Sequence, residues 1–284
     1  MRPTGPHLFL LFNLSYTTFI NRTQVTKFQD TILSYYKEHK RPMSWRDISN
    51  PYKVFVSEMM LQQTQVARVT LKYEEFIKAF PTLKSVAEAP KEEILKIWQG
   101  LGYNRRALFI HNACKQILSD HNGEFPADEK TLQTLPGIGP ATAGAICAFA
   151  YNTPVNFIET NVRAVLLHFF FKNKLNVTDK ELLETLKKVT PKDIAPRDWY
   201  YALYDYGTHL KKTLGKEKTK LHKQSKHYKK QSKFEGSFRQ KRAQILKLKL
   251  NEPDISDSEI LIILEITPSD FEEVIISLDK DGLL

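Results

Sequence analysis

Apolar side chains along this chain of 284 residues recur at helical spacing. Val25, Phe28, Ile32 and Tyr35 fall three or four residues apart, as do Tyr73, Phe76, Ile77 and Phe80, the interval that lines one face of a helix. Pro51, Pro81, Pro90, Pro126, Pro136, Pro154 and Pro191 punctuate the pattern at distances suited to short helices. The run from Val54 to Val69, with Val56, Met59, Met60 and Val66 inside it, predicts one buried helix. Alternation long enough to build a sheet is missing and no internal repeat stands out, so the chain reads as all-α. An apolar run at 7–20 is shorter than the roughly 20 residues a membrane helix needs and is broken by Asn13, Ser15 and two threonines. It reads as a ragged extension covering 1–23.

Charge divides the rest. Lys and Arg number 42 against 32 Asp and Glu, a net +10 that favours polyanionic partners, nucleic acid before acidic membrane. Residues 1–210 carry +6, 211–249 carry +13 and 250–284 carry −9. This predicts a globular body over 24–210, a basic connector over 211–237 and a small acidic unit over 238–284. Ile245 to Leu250, Ile255 to Leu261 and Phe271 to Leu278, closed by Asp281-Gly282-Leu283, resemble a small winged-helix unit. Ten acids against one base over 250–284 make it a better lid or protein contact than a phosphate binder. Two cysteines, Cys114 and Cys147, cannot build a disulfide framework or a four-thiolate site, which points to a reducing compartment.

Three stretches could carry chemistry. Leu135-Pro136-Gly137-Ile138-Gly139-Pro140 forces a tight turn between helices, and the second helix then begins with free N–H groups suited to phosphate; a plain helix–helix connection is the other reading. Ser57-Glu58-Met59-Met60-Leu61-Gln62-Gln63-Thr64-Gln65 sets a carboxylate in an apolar helix, where burial raises its pKa toward that of a general acid. The amides after it suit base edges or the gap left by an extruded base. Taken alone, Glu58 could equally be salt-bridged at the surface. Phe157-Ile158-Glu159-Thr160-Asn161 offers a second carboxylate at a helix start, either a cap or the ionised partner that glycosidic-bond hydrolysis requires.

In order and spacing these stretches, with Pro42-Met43-Ser44-Trp45-Arg46 and Trp98-Gln99-Gly100-Leu101-Gly102-Tyr103, resemble the helix-hairpin-helix DNA glycosylases. Within them the resemblance is to the adenine (MutY-type) branch, over about 23–210. It implies a two-lobed helical fold and base-excision repair of adenine opposite 8-oxoguanine or guanine in double-stranded DNA, by a monomer. Residue by residue, it implies that Glu58 protonates adenine and that Glu159 stands at the catalytic aspartate. Gln63 and Tyr103 would wedge beside the orphaned base, with Thr64 contacting it. Trp45, Arg46, Leu61 and Asp205 would line the base pocket, and Asn161 would sit beside the catalytic carboxylate. Gly137, Ile138 and Gly139 would hold the DNA backbone, with room for a monovalent cation at the hairpin. Ala141 stands where lyase-competent relatives carry lysine, implying hydrolysis without strand cleavage. The expected location is the nucleoid-associated cytoplasm of a prokaryote, or a eukaryotic nucleus or organelle.

Two departures qualify the resemblance. Glu159-Thr160 replaces the usual Asp-Gly, and misplacing a carboxylate by about an ångström can cost about a hundredfold. The usual iron–sulfur cysteines are also missing, with Lys211 at the first position, so no such cluster can form. The connector is expected to replace the cluster loop as a DNA contact through Lys226, Lys229, Lys230 and Lys233, the alternative being a solvated linker. A thymine or uracil mismatch glycosylase on the same scaffold, or a catalytically weak lesion-binding protein, are the competing functions.

Overall fold

A computed structural model describes residues 20–284 except 173, 227 and 229–231; the apolar run at 7–19 and Lys229 and Lys230 lie outside the described residues. Helix α1 (Arg22–His39) begins on a reciprocal cap, Asn21 accepting from the Gln24 amide while the Gln24 side chain accepts from that of Asn21. Helices α2 (Pro51–Leu61), α3 (Val66–Ala79), α4 (Leu83–Glu88), α5 (Lys91–Trp98), α6 (Arg105–Asp120), α7 (Glu129–Leu132) and α8 (Pro140–Tyr151) follow. These middle helices form one lobe, with α2 packed on α3 and α8, and α6 covered by α4 and α5. Helix α8 is apolar nearly all round, as a helix enclosed by its neighbours should be.

The second lobe joins the two flanks of the chain: α1 meets α9 (Thr160–Phe170), α10 (Asp179–Val189) and α11 (Pro196–Thr213). Helix α11 packs on α1 and α9 and also reaches α8, where Tyr201 stacks on Phe149 with ring centroids 4.3 Å apart. The lobes thus meet along α11, with α2 on one side and the start of α9 on the other.

The predicted helix over 54–69 is two helices. Gln62 to Gln65 break it, Gln63 adopting the left-handed conformation at φ 53°. The chain beyond α11 makes a 3₁₀ turn (Gly215–Glu217) and α12 (Lys218–Lys223), which folds back on α9. Leu221, Gln224 and Ser225 are buried there. Val177 donates to the Gln224 carbonyl at 2.8 Å and accepts from the Lys226 amide at 3.0 Å, and Gln224 Nε2 donates to the Phe171 and Lys172 carbonyls. The first part of the basic connector is therefore packed into the second lobe, at the place where the resemblance expects a cluster loop.

The C-terminal unit comprises α13 (Phe238–Asn251), α14 (Asp257–Leu264) and α15 (Pro268–Lys280), with α13 lying on α5. It is helical throughout and forms no wing. Gly282, at φ 71°, ends α15: its amide donates to Asp279 and that of Leu283 to Leu278, so the closing Asp-Gly-Leu is a helix stop. No helix among the described residues is long and apolar enough to cross a membrane.

Candidate active site between the lobes

Glu58 lies near the end of α2, among Phe55, Met59 and Met60, which are fully buried. Burial pushes its carboxyl up to about 8; the negative charge of Glu159 acts in the same direction and Arg46 opposes both. Among the described residues nothing donates a hydrogen bond to it. A carboxyl in this setting keeps its proton near neutrality.

Glu159 caps α9 with its own side chain. Oε1 accepts from the Asn161 amide at 2.6 Å and the Val162 amide at 2.8 Å, while Oε2 accepts from Thr160 Oγ1 at 3.0 Å and Asn161 Nδ2 at 3.2 Å. Four donors and the positive end of a helix fix this group in place. The capping reading of Glu159 therefore holds. Thr160, one half of the departure from Asp-Gly, is itself a donor to the longer side chain.

A stripe along α11 supports both carboxyls. Tyr200 stacks on Phe157, centroids 4.0 Å apart, and Tyr204 feels the charges of both Glu58 and Glu159, which with burial drive its phenol well up. Gly207 allows the close approach, since a Cβ there would lie 2.6 Å from that of Asn161. One turn on, Lys211 Nζ donates to Asn161 Oδ1 at 2.8 Å. Burial lowers its pKa, Glu159 opposes and Lys218 adds to the fall. Lys211 and Tyr204 were not chosen from the sequence as functional residues, although the 200, 204, 207, 211 spacing of one helical face carries the signal.

The proposed base-pocket residues divide. Asn161 is beside Glu159, and Arg46 is near enough to act on Glu58. Leu61 ends α2, partly buried. Trp45 is 3% exposed and meets Tyr73 edge-on in the core. Asp205, fully buried, takes the Arg46 guanidinium in a bidentate pair at 2.7 and 2.8 Å and also accepts from Arg41. Burial would raise its pKa, but these arginines hold it below the usual range. Its carboxylate is thus committed to positioning Arg46, which lies over the Tyr201 ring, and is not presented for a base.

At the hairpin, Gly137 has φ 76°, and a Cβ would strike Phe109 and Met59 at 2.7–2.8 Å. The turn needs glycine for conformation and for space. Gly139 precedes α8 with no side-chain cap, leaving first-turn amides open to an anion. Ile138, expected to hold the DNA backbone, instead serves the core: its side chain is buried and its amide donates to the Leu135 carbonyl.

Gln63 and Tyr103 are exposed on adjacent loops, both in the left-handed region at φ 53° and 49°, a conformation that costs a residue with a side chain about 1 kcal/mol or more. Arg106, buried in α6, holds both loops. Its NH1 donates to the Met59, Met60 and Gln62 carbonyls at 2.7–2.8 Å, and its NH2 donates to Thr64 Oγ1 and to the Gly102 carbonyl at 2.8–2.9 Å. It thereby satisfies the orphan carbonyls at the end of α2. Thr64 is also within reach of the Leu101 carbonyl at 3.3 Å, so its hydroxyl is engaged inside the protein. Gln62 Nε2 donates to Thr142 Oγ1 of α8 at 3.1 Å, joining this assembly to the hairpin. Arg106 was missed because nothing local marks an arginine that will take the carbonyls at the end of α2, more than forty residues away.

Of the connector lysines, Lys226 and Lys233 are exposed. Among the described residues no cluster of three His, Cys, Asp or Glu could hold a metal ion, and Cys114 and Cys147 are separate buried thiols.

The fold is two-lobed and helical, with a glycine hairpin and two carboxyls near enough for the charge of one to act on the other, and residues 56–192 match the HhH-GPD superfamily of base excision DNA repair proteins. Over that stretch the chain is similar to the members of that superfamily. Among curated proteins it is similar to the adenine DNA glycosylase of Buchnera aphidicola, 39% identical over 58% of this chain and 47% of that one. It is also similar to that of Mycobacterium tuberculosis, 40% identical over 48% of this chain and 45% of that one. The chain spans about half the length of the curated relatives it matches. A thermostable thymine-DNA glycosylase shares the fold, with a TM-score of 0.58 and 23% identity over 65% of this chain and 86% of that one.

Proposed function

We propose that the protein is a monofunctional DNA N-glycosylase of base excision repair that removes adenine mispaired with 8-oxoguanine or guanine. The observation that carries this reading is the unequal pair Glu58 and Glu159: one carboxyl is desolvated and proton-bearing near neutrality, the other is held by four donors. In the proposed reaction the Glu58 proton passes to a ring nitrogen of the extruded base, and the C1′–N bond breaks with its electron pair going to the base. Glu159 faces the cationic sugar, and water bonds to C1′ while its released proton goes to a carboxylate of the pair. Ala141, in the first turn of α8, offers no amine for a Schiff base. Adenine as the base is supported by the names of the curated relatives. The partner is double-stranded DNA, held by the hairpin amides and the wedge loops, and neither a resident metal nor an iron–sulfur cluster is invoked.

The test is incubation with duplexes carrying A opposite 8-oxoguanine, A opposite G, T opposite G and U opposite G, followed by alkali. Cleavage of the adenine strands only after alkali is the expected result. Cleavage without alkali would overturn the monofunctional assignment, and release of T or U alone would reassign the base. Tight binding with no cleavage of any duplex would make the chain a lesion-binding protein.

A further inference from the structure

The end of the connector returns to the wedge. Arg239, in the first turn of α13, places NH1 at 3.2 Å from the Tyr103 hydroxyl, 136 residues away in sequence. Its NH2 donates to the Ser232 carbonyl at 2.8 Å and, at 3.4 Å, to Ser232 Oγ and the Lys233 carbonyl, and its guanidinium lies 6.0 Å from the centre of the Phe234 ring. Phe234 is 55% exposed and Tyr103 39% exposed. Two exposed aromatic rings thus flank one guanidinium.

We propose that Arg239, braced by Ser232 and Phe234 and set against Tyr103, reads the base left behind in the opposite strand and selects a guanine-type base. The inference rests on the glycosylase reading, which places Tyr103 beside that base. A guanidinium matches the adjacent O6 and N7 acceptors of guanine in a bidentate contact that cytosine cannot offer. Exposed aromatic rings are surfaces on which an unstacked base can lie. The Ser232 carbonyl uses one edge of the guanidinium, and insertion of Tyr103 into a duplex would bring the remaining N–H groups to the orphaned base. An arginine held by its own loop is also pre-organised, so less freedom is lost when it binds.

The experiment measures equilibrium binding of the full chain to duplexes with a tetrahydrofuran abasic-site analogue opposite guanine or opposite cytosine, at one fixed salt concentration. The intact protein is expected to prefer guanine by about tenfold. Arg239→Ala should bring the ratio close to one, and Arg239→Lys, which keeps the charge but not the fork, should lose most of it. Phe234→Ala should lower the ratio in part, and circular dichroism melting confirms that each variant is folded. Equal weakening on both duplexes would overturn the proposal by making Arg239 a phosphate contact, and so would an intact protein without preference. Excision is scored separately on adenine duplexes. Absence of excision with the guanine preference intact would sink the glycosylase reading alone, whereas excision with an unchanged ratio in Arg239→Ala would sink this one alone.

Discussion

Glu58 and Glu159 stand on different lobes, and the protein surrounds them in opposite ways. The end of α2 gives Glu58 apolar neighbours and no donor among the described residues, so its proton is retained to a pKa of about 8. The start of α9 gives Glu159 two backbone amides, a hydroxyl and a side-chain amide. The residue type is the same and the chemistry differs, because one environment withholds solvation and the other replaces it. The comparison also accounts for the unusual glutamate. Its extra methylene is taken up by a longer cap, to which Thr160 adds a bond, while Lys211 holds Asn161 from behind. The two departures from the family pattern, at 159–160 and at 211, meet in a single network.

The comparison breaks most sharply at Glu58. Glu58→Gln should lower single-turnover excision by about a thousandfold, the range general acid catalysis supplies, with DNA binding kept. In the intact protein the rate should fall as pH rises through about 8, where Glu58 loses its proton. A flat profile from pH 6 to 9 would show that Glu58 is not the acid.

On the other lobe, Glu159→Asp should slow excision about tenfold, because the shorter arm cannot reach both amides of α9 and the Thr160 and Asn161 donors together. Lys211→Met should cost a similar factor and Lys211→Arg less. A faster Glu159→Asp enzyme would mean that the network tolerates glutamate without being built for it.

The smallest expected effect is on stability. A carboxyl whose pKa rises from 4.5 to about 8 on folding binds protons more tightly in the folded state. Its stabilising contribution is complete below pH 4.5 and is lost as pH rises toward 8. Glu58→Gln removes that loss and should stabilise the protein at pH 8 while changing little at pH 4. Equal denaturation midpoints for variant and parent at pH 8 would contradict the burial argument.

Much of this site was legible because its signals are local. Glu58 in an apolar helix, Glu159 before a helix, and glycine at Gly137 each follow from a few neighbouring residues. What was not legible depends on distant segments meeting. Helix α2 stops at Leu61 because Arg106, more than forty residues on, takes the carbonyls a continuing helix would have used. Lys211 acquires a role only when Gly207 lets α11 close on Asn161. Asp205 is expected in the base pocket from the resemblance, but two arginines claim its oxygens. The winged-helix resemblance failed for a related reason: Asp281-Gly282-Leu283 can turn a strand or stop a helix, and here it ends α15, which packs on α13.

Arg106 has a consequence for how this protein can vary. One guanidinium holds carbonyls of the loop bearing Gln63 and of the loop bearing Tyr103. In heredity the two loops therefore form one unit: a change that reshapes either is felt by both. Exchanging one loop for a relative's, with the other left in place, forfeits the spacing between the two wedges. Lineages that alter one should alter its companion, and a single codon, that of Arg106, guards the pair.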